Sequence, residues 1–409
     1  MSDSEYAVYV GIDWGSQEHR VVVVNRDRTI VHERTVQHSG AELAALAHWL
    51  VNLVNGAAGS VAVALEVPRG PIVETLLDHG VHVYAINPKQ LDRFRDRYTV
   101  AGAKDDRRDA LVLGTALVTD RPAFRRLDPD EPAVVHLRAL TRLEEELDQE
   151  HRRLSNRLRE QLYRLAPGLL TLSPGADEPW LWALLERAPT PAAATRLTRA
   201  SIARILSEHR IRRLTAADVL AVLRAPAVAA GPGAVVAAEE HLAVLLPRLR
   251  LTAAQLKDCQ RRVRRALDAL PDHVEHRDVA ILRSLPGVGR KVSATMLAEA
   301  WQLLARRDYH ALRSHAGTAP VTKQSGKWRA VRMRYACNAR LRNAVHHWAR
   351  NSAQRDPRTA VLYQRLRARG KSEARALRSV GDRLLAMLVA RLKTQSLYDP
   401  SRRCVQMGA

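Results

Sequence analysis

Cysteine is scarce in this chain of 409 residues: Cys259, Cys337 and Cys404 are too scattered for a disulfide framework or a zinc site and fit a reducing compartment. Long apolar runs are missing too. No stretch approaches the roughly 18 uninterrupted apolar residues of a membrane span, and the opening MSDSEYAVYV has no basic segment leading into an apolar one. Both absences predict a cytoplasmic protein without a membrane partner. The third shortage is acid, and it is local. Residues 306–409 hold 5 Asp and Glu against 24 Lys and Arg, net +19, whereas residues 1–130 hold 18 against 15, net −3. A coding bias toward arginine would explain Arg over Lys but not this polarisation. With net charge +22 and a pI near 10.8, the chain calls for a polyanionic partner, gripped by its later part.

What is present at the front is a run of β-rich segments, 6–13, 20–25 and 29–36, separated by short polar turns that suit a three-strand meander. A helix over about 41–54, a strand over 61–66, a helix near 71–79, a strand over 81–86 and helices over about 88–98 and 106–119 follow. The order βββαβαβα is that of a ribonuclease-H-like (RuvC-like) mixed sheet with helices, expected to fill residues 1–128. From Leu137 to Leu165 a leaky heptad runs through Leu140, Glu144, Leu147, His151, Leu154, Leu158, Gln161 and Leu165. A second amphipathic run, Leu256, Cys259, Val263, Leu267 and Leu270, either returns antiparallel against it or pairs with another protomer. The predicted coiled-coil helices cover 129–167 and 251–275, with a small helical insertion over 168–250. Residues 276–397 form a mainly helical domain and 398–409 a tail.

Four carboxylates in the first segment carry the chemistry. Asp13 follows one apolar β-rich run and Glu66 another, while Asp106 and Asp109 sit three apart in AKDDRRDA and share a helix face. Asp105 also lies four before Asp109, so spacing does not choose between Asp105 and Asp106. Taken alone, KDDRRDA is a capped, salt-laced helix start. Asp13 and Glu66 tip the balance, because acids after apolar runs are costly to bury without a cation. Hard anionic oxygens gathered from distant positions are what Mg²⁺ or Mn²⁺ needs against a phosphate. GIDWGS also suits the phosphate loop of actin-like ATPases, but the other glycine clusters, at 231–233 and 286–289, lie in helical surroundings.

The last third opens on LPGVGRKVSA, a helix-hairpin-helix-like element whose Gly287 and Gly289 would offer backbone N–H groups to a phosphate beside Arg290 and Lys291. Farther on, GTAPVTKQSGKWR sets Ser325 among Lys323, Lys327 and Arg329, where cations can stabilise a phosphoryl transition state. By composition QSGK is first a turn, and Ser293 and Ser314 are nearly as plausible as nucleophiles. Arg332 and Arg334, with Arg340 and Arg342, recur beside Trp328 and Trp348, a pattern for phosphate contacts with a stacking ring.

These pieces, VGIDWGSQEH, the Glu66 strand, Lys104-x-Asp106-x-x-Asp109-Ala110, LPGVGRKVSA and the blocks from HAGTAPVTKQSGKWR to NARLRNAVHHWA, resemble the DEDD transposases of insertion sequences over nearly the whole length. Those proteins are bridge-RNA-guided recombinases. The resemblance implies a RuvC-like site of Asp13, Glu66, Asp106 and Asp109 holding Mg²⁺ (or Mn²⁺), and it favours Asp106 over Asp105. It implies Ser325 as a nucleophile forming a phosphoserine link to DNA. The expected partners are donor and target DNA, a bridge RNA and further copies of the chain, as a dimer or tetramer. Two departures stand out: Gly317-Thr318-Ala319-Pro320 replaces the usual Gly-Leu-x-Pro, and the 168–250 insertion is long. The rival readings are a RuvC-like nuclease using metal-activated water, and a nucleic-acid-binding scaffold whose acids hold no metal.

Overall fold

The computed structural model describes residues 6–66, 68–97, 105–226, 228, 230–270, 276–326 and 328–400. The chain divides into two compact units, Met1–Asp130 and Glu131–Ala409.

The first unit is built on a six-stranded sheet. Its strands are β1 (Val8–Trp14), β2 (Glu18–Val24), β3 (Ile30–Gln37), β4 (Val61–Leu65), β5 (His82–Ala85) and β6 (Arg125–Leu127), in the order β3-β2-β1-β4-β5-β6. β1, β2 and β3 form the antiparallel meander, and β4 joins β1 in parallel. The helices are α1 (Gly40–Asn52), α2 (Pro71–Asp78), α3 (Pro88–Arg95) and α4 (Asp106–Thr119). β4, VAVAL, is buried at every position because helices cover both faces of the sheet. Val10, Ile12, Val21 and Val23 pack with Leu46, Leu50 and Leu76 on one side, while Tyr9, Val22, Val24, Ala62 and Ala64 pack with Leu91, Leu113 and Leu117 on the other. β6 was not foreseen: Arg125-Arg126-Leu127 has no apolar alternation, and only its antiparallel pairing with β5 makes it a strand.

The second unit is helical. It comprises α5 (Pro132–Leu165), α6 (Leu169–Leu172), α7 (Pro179–Arg187), α8 (Pro191–Thr195), α9 (Arg199–Glu208), α10 (Ala216–Arg224), α11 (Pro232–Asp268), α12 (His276–Ser284), α13 (Arg290–Ala305) and α14 (Tyr309–His315). A hairpin of β7 (Val321–Ser325) and β8 (Trp328–Arg332) then precedes α15 (Ala339–Arg355), α16 (Pro357–Ala368) and α17 (Glu373–Lys393). Of the two pairings expected for the heptad, the one within the chain is realised. Leu137 and Leu140 of α5 cluster with Cys259, Val263 and Leu267 of α11, while Leu154, Leu158 and Leu162 cluster with Leu242, Leu245 and Leu249, so the helices run antiparallel. α11 begins at Pro232, inside the stretch assigned to the insertion, because Pro247 lies within the helix without ending it. Of the remaining short helices, α6, α7, α9 and α10 pack on the far ends of α5 and α11 around Trp180 and Trp182. No described helix is long and apolar enough to cross a membrane.

Candidate active site

Strand alternation decides where the N-terminal acids point. Tyr9 belongs to the cluster on the α4 side of the sheet, and Gly11 and Asp13 follow it at the period of two. On β4, Ala62 and Ala64 face the same way, so Glu66, one residue past the strand, continues that row. Ile12 pairs with Leu65 in parallel register. Asp13 and Glu66 are therefore the next residues at the ends of neighbouring strands, both half-buried.

α4 reaches these acids because β1 has a glycine where the helix crosses. A Cβ on Gly11 would lie 1.8 Å from Ala110 O and 2.6 Å from Gly114 N, and a Cβ on Gly114 would lie 3.2 Å from Gly11 N. Helix and strand backbones touch, which draws the first turn of α4 toward Asp13. Asp109, one residue before that contact, is 1% exposed. Asp105 is the N-cap, its Oδ1 accepting from Arg107 N at 3.3 Å, while Asp106 opens the helix on its exposed surface. Arg107 also donates through Nε to Glu33 Oε2 at 2.7 Å, and Arg20 donates to the same oxygen at 3.1 Å, fastening the helix start to β3. The Arg107 hydrogen bonds hold the Glu33 carboxyl below its ordinary range.

The cation facing Asp109 is Arg95, the last residue of α3. Its Nε and Nη2 donate to the two carboxylate oxygens at 2.5 and 2.7 Å, and Nη1 donates to Asp92 at 2.5 Å. Burial pulls the guanidinium pKa down, but Asp109, Asp92 and the field of Glu66 outweigh it and raise it. Among the described residues no three His, Cys, Asp or Glu side chains are posed to hold a metal ion. The donor chemistry nonetheless fits one. Asp13 and Glu66 follow at neighbouring strand ends, Asp109 is buried, and hard carboxylate oxygens are the donors that such a cation takes. Lys104 of the motif lies outside the described residues.

In the second unit, the LPGVGR turn joins α12 to α13. Gly287 has φ +75°, and a Cβ there would lie 2.5 Å from Ser352 Oγ, so the turn is pressed onto α15. Pro286 O accepts from Trp348 Nε1 at 2.9 Å and from Ser352 Oγ at 2.6 Å. Trp348 is thus a core residue, fully buried, and not a stacking ring. Gly289 is the N-cap of α13, with no side chain closing the helix end and open space where its Cβ would be. Arg290, expected at a phosphate, forks onto buried Glu144 at 2.6 and 3.1 Å, and Lys291 reaches Asp148 at 3.3 Å while remaining exposed. Arg340 donates to Glu145 at 2.7 Å.

The hairpin gives Ser325 a setting that composition could not. It ends β7, exposed, and pairs with Trp328 at the closing position. Ser293 is fully buried, its Oγ donating to Gly289 O at 3.1 Å, which removes it as a nucleophile. Lys323, Arg329 and Arg332 are exposed on the same hairpin; Lys327 lies outside the described residues. Arg334 Nε is buried without a hydrogen-bond partner among the described residues. In the departing Gly317-Thr318-Ala319-Pro320 segment, Thr318 Oγ1 donates to Asp382 Oδ1 at 2.9 Å, and a Cβ on Gly317, at φ +69°, would lie 2.8 Å from Cys337 Sγ.

Comparison with known proteins fixes the family. Residues 10–167 match a transposase family of the IS110 DEDD type, and residues 279–364 match the family described as "Transposase IS116/IS110/IS902 family". The "Mini-circle putative transposase for IS117" of Streptomyces coelicolor is 31% identical over 98% of both chains. The chain belongs to the IS110-type DEDD transposase family. A "Putative transposase y4uE" of Sinorhizobium fredii is 46% identical over 56% of this chain and 64% of its own. A Streptomyces coelicolor "Insertion element IS110 uncharacterized 43.6 kDa protein" is 27% identical over 98% and 97%.

For a DEDD transposase, an enzyme acting on DNA, the sequence pointed to four candidate acids but not to the residues packed around them. Arg95 lies in a polar helix, PKQLDRFR, with nothing to mark it. Gly11 and Gly114 carried a signal, glycine inside a strand and inside a helix, that points to close backbone approach.

Proposed function

We propose that this transposase cuts and joins DNA with a serine in one unit and a carboxylate-bound divalent metal in the other. The observation that carries the reading is the convergence of Asp13 and Glu66 at neighbouring strand ends beneath the helix that begins with Asp106 and holds Asp109. Asp13, Glu66, Asp106 and Asp109 would hold Mg²⁺ or Mn²⁺, with Asp105 committed to capping. Bound there, the ions would neutralise charge on a phosphate and polarise its oxygens.

Ser325 Oγ then forms a bond to the phosphorus of a DNA strand while the bond to one deoxyribose oxygen breaks. The serine proton ends on that oxygen, which leaves as a hydroxyl. A hydroxyl of another strand reverses the step and frees the serine, so strands are exchanged without net hydrolysis. Lys323, Lys327, Arg329, Arg332 and Arg334 offset the phosphate charge, and the open N-terminus of α13 at Gly289, with Gly287 shaping the turn and Lys291 at its edge, takes a backbone phosphate. Arg290 contributes by fixing that helix through Glu144.

The same reading includes a bridge RNA that pairs with donor and target DNA, a cytoplasmic setting, and a dimer or tetramer in which serine and acids come from different protomers. An oligomer is supported by Val236, Val244 and Leu251, left exposed on α11. The test is to incubate the protein with RNA transcribed from its flanking DNA, labelled donor and target duplexes and Mg²⁺, and to look for a denaturant-resistant protein–DNA adduct. The adduct should form in wild type and vanish in Ser325→Ala and Asp13→Ala. Cleavage that survives Ser325→Ala but not Asp13→Ala would make the protein a hydrolytic nuclease.

A further inference from the structure

Directly opposed residues of an antiparallel pair project from the same face. In the β7–β8 hairpin the pairs Ser325↔Trp328, Lys323↔Ala330 and Val321↔Arg332 therefore share one face, and Gln324↔Arg329 and Thr322↔Val331 share the other. The Ser325 face thus carries an indole immediately across from the hydroxyl, with Lys323 and Arg332 farther along, all exposed. Trp328 is 52% exposed and joins none of the apolar clusters among the described residues. Trp180, Trp182 and Trp348 are each at most 1% exposed. A large ring held on a two-stranded hairpin, away from every core, adds little to folding and leaves apolar surface in water.

We infer that Trp328 is a nucleotide-stacking residue, which docks an unpaired DNA base beside Ser325 and thereby positions the phosphate next to it. The link to the serine rests on the function proposed above; the stacking itself rests on the hairpin. Indole and base faces stack without regard to sequence. Inside a duplex those faces are covered by neighbouring base pairs, so the ring selects a base that is extruded or single-stranded. Lys323 and Arg332 on the same face supply charge for the flanking phosphates. DNA is the occupant favoured, because the hydroxyl across from the ring is the group assigned to attack DNA.

The test uses the full chain carrying Ser325→Ala, so that no covalent step depletes the complex. The probes are a short single-stranded DNA with 2-aminopurine placed in turn along its length, the same sequence as RNA, and the same sequence as duplex DNA. Stacking on the indole should quench 2-aminopurine. Trp328→Leu, which keeps apolar bulk without an aromatic face, should weaken single-strand binding about tenfold and abolish the quenching, while Trp328→Phe retains most of both. Duplex affinity should change less than about twofold, since duplex binding draws on phosphate contacts.

Unchanged single-strand affinity and quenching in Trp328→Leu would overturn the inference. So would equal losses for single strand and duplex, which would mark a general defect of the hairpin. RNA bound tenfold more tightly than DNA would overturn the choice of DNA. A wild type that quenches the probe but never forms a serine adduct would fail the serine reading and leave the stacking residue standing.

Discussion

Both units bury carboxylates against arginines, yet they use the pairs differently. In the helical unit, acids drawn into the packing are matched by arginines among the described residues. Glu299 accepts from Arg142 at 3.0 and 3.2 Å and from Asn338 at 2.7 Å, Glu144 is forked by Arg290, and Arg313 and Thr318 close on Asp382. Those pairs tie one helix to another: α5 to α13, and α14 to α17. In the sheet unit Asp109 is buried against Arg95, but the same guanidinium also donates to Asp92 and feels the field of Glu66. A buried acid matched one to one is a staple; one whose arginine is shared, as Arg95 is with Asp92 and the field of Glu66, is what the proposed metal site would build on. Burial alone does not tell them apart.

Removing a staple should do the most to sharpen that contrast. Glu299→Ala removes a side chain only 3% exposed and strips Arg142 and Asn338 of their shared acceptor, and breaking such a buried pair costs about 3 kcal/mol. A lowered urea midpoint for the helical unit is the expected readout. Asp106→Asn, at an exposed first-turn position, should move the midpoint by less than about 1 kcal/mol while adduct formation collapses. Equal destabilisation by the two variants would erase the distinction between staple and site.

A second contrast sets two glycines side by side. Gly11→Ala puts its methyl against backbone, 1.8 Å from Ala110 O, so α4 must lift from β1; overpacking of this kind costs about 1–3 kcal/mol. Because α4 carries Asp106 and Asp109, activity should fall with it. Gly381→Ala on α17 meets Cγ1 of buried, β-branched Val345 at 2.8 Å, so it should also cost stability, but it leaves the α4–β1 contact untouched and activity should be retained. Thermal unfolding and adduct yield, measured on both variants, decide whether the Gly11 contact is what aligns the site.

How much of this was legible beforehand follows from what each signal encodes. Short β-rich apolar runs announced β1 and β2, and the heptad announced α5, because a buried core leaves its mark on sequence. The β6 strand left none, as its formation depends on β5 alone. Asp13 and Glu66 stood out because an acid after an apolar run is costly. Arg95 did not, since an arginine in a polar helix is ordinary until the fold lays a carboxylate beside it. Trp328 and Trp348 looked alike in a basic stretch. Their fates diverged through partners far along the chain, Trp348 finding Pro286 O and Trp328 finding none of the apolar clusters.

The smallest effect concerns His19, a buried ring of the sheet unit with one nitrogen unmatched among the described residues. The ring is fully buried against Trp14, its Nε2 shares a hydrogen with exposed His38 Nδ1 at 2.9 Å, and its Nδ1 has no partner among the described residues. Burial, and then the neighbouring His38, lower its pKa below the ordinary 6.5. The unfolded chain therefore takes up a proton first as pH falls through 6.5, and the folded state loses stability from there downward; above 6.5 neither state is protonated and the group is neutral to folding. The slope from one such group is at most about 1.4 kcal/mol per pH unit. His19→Leu should match wild type at pH 8 and unfold with a flatter pH dependence between about 6.5 and 5. A slope as steep as wild type would mean that His19 gains a proton in the folded state as readily as in the unfolded one, with the His38 hydrogen bond rearranged to accept it.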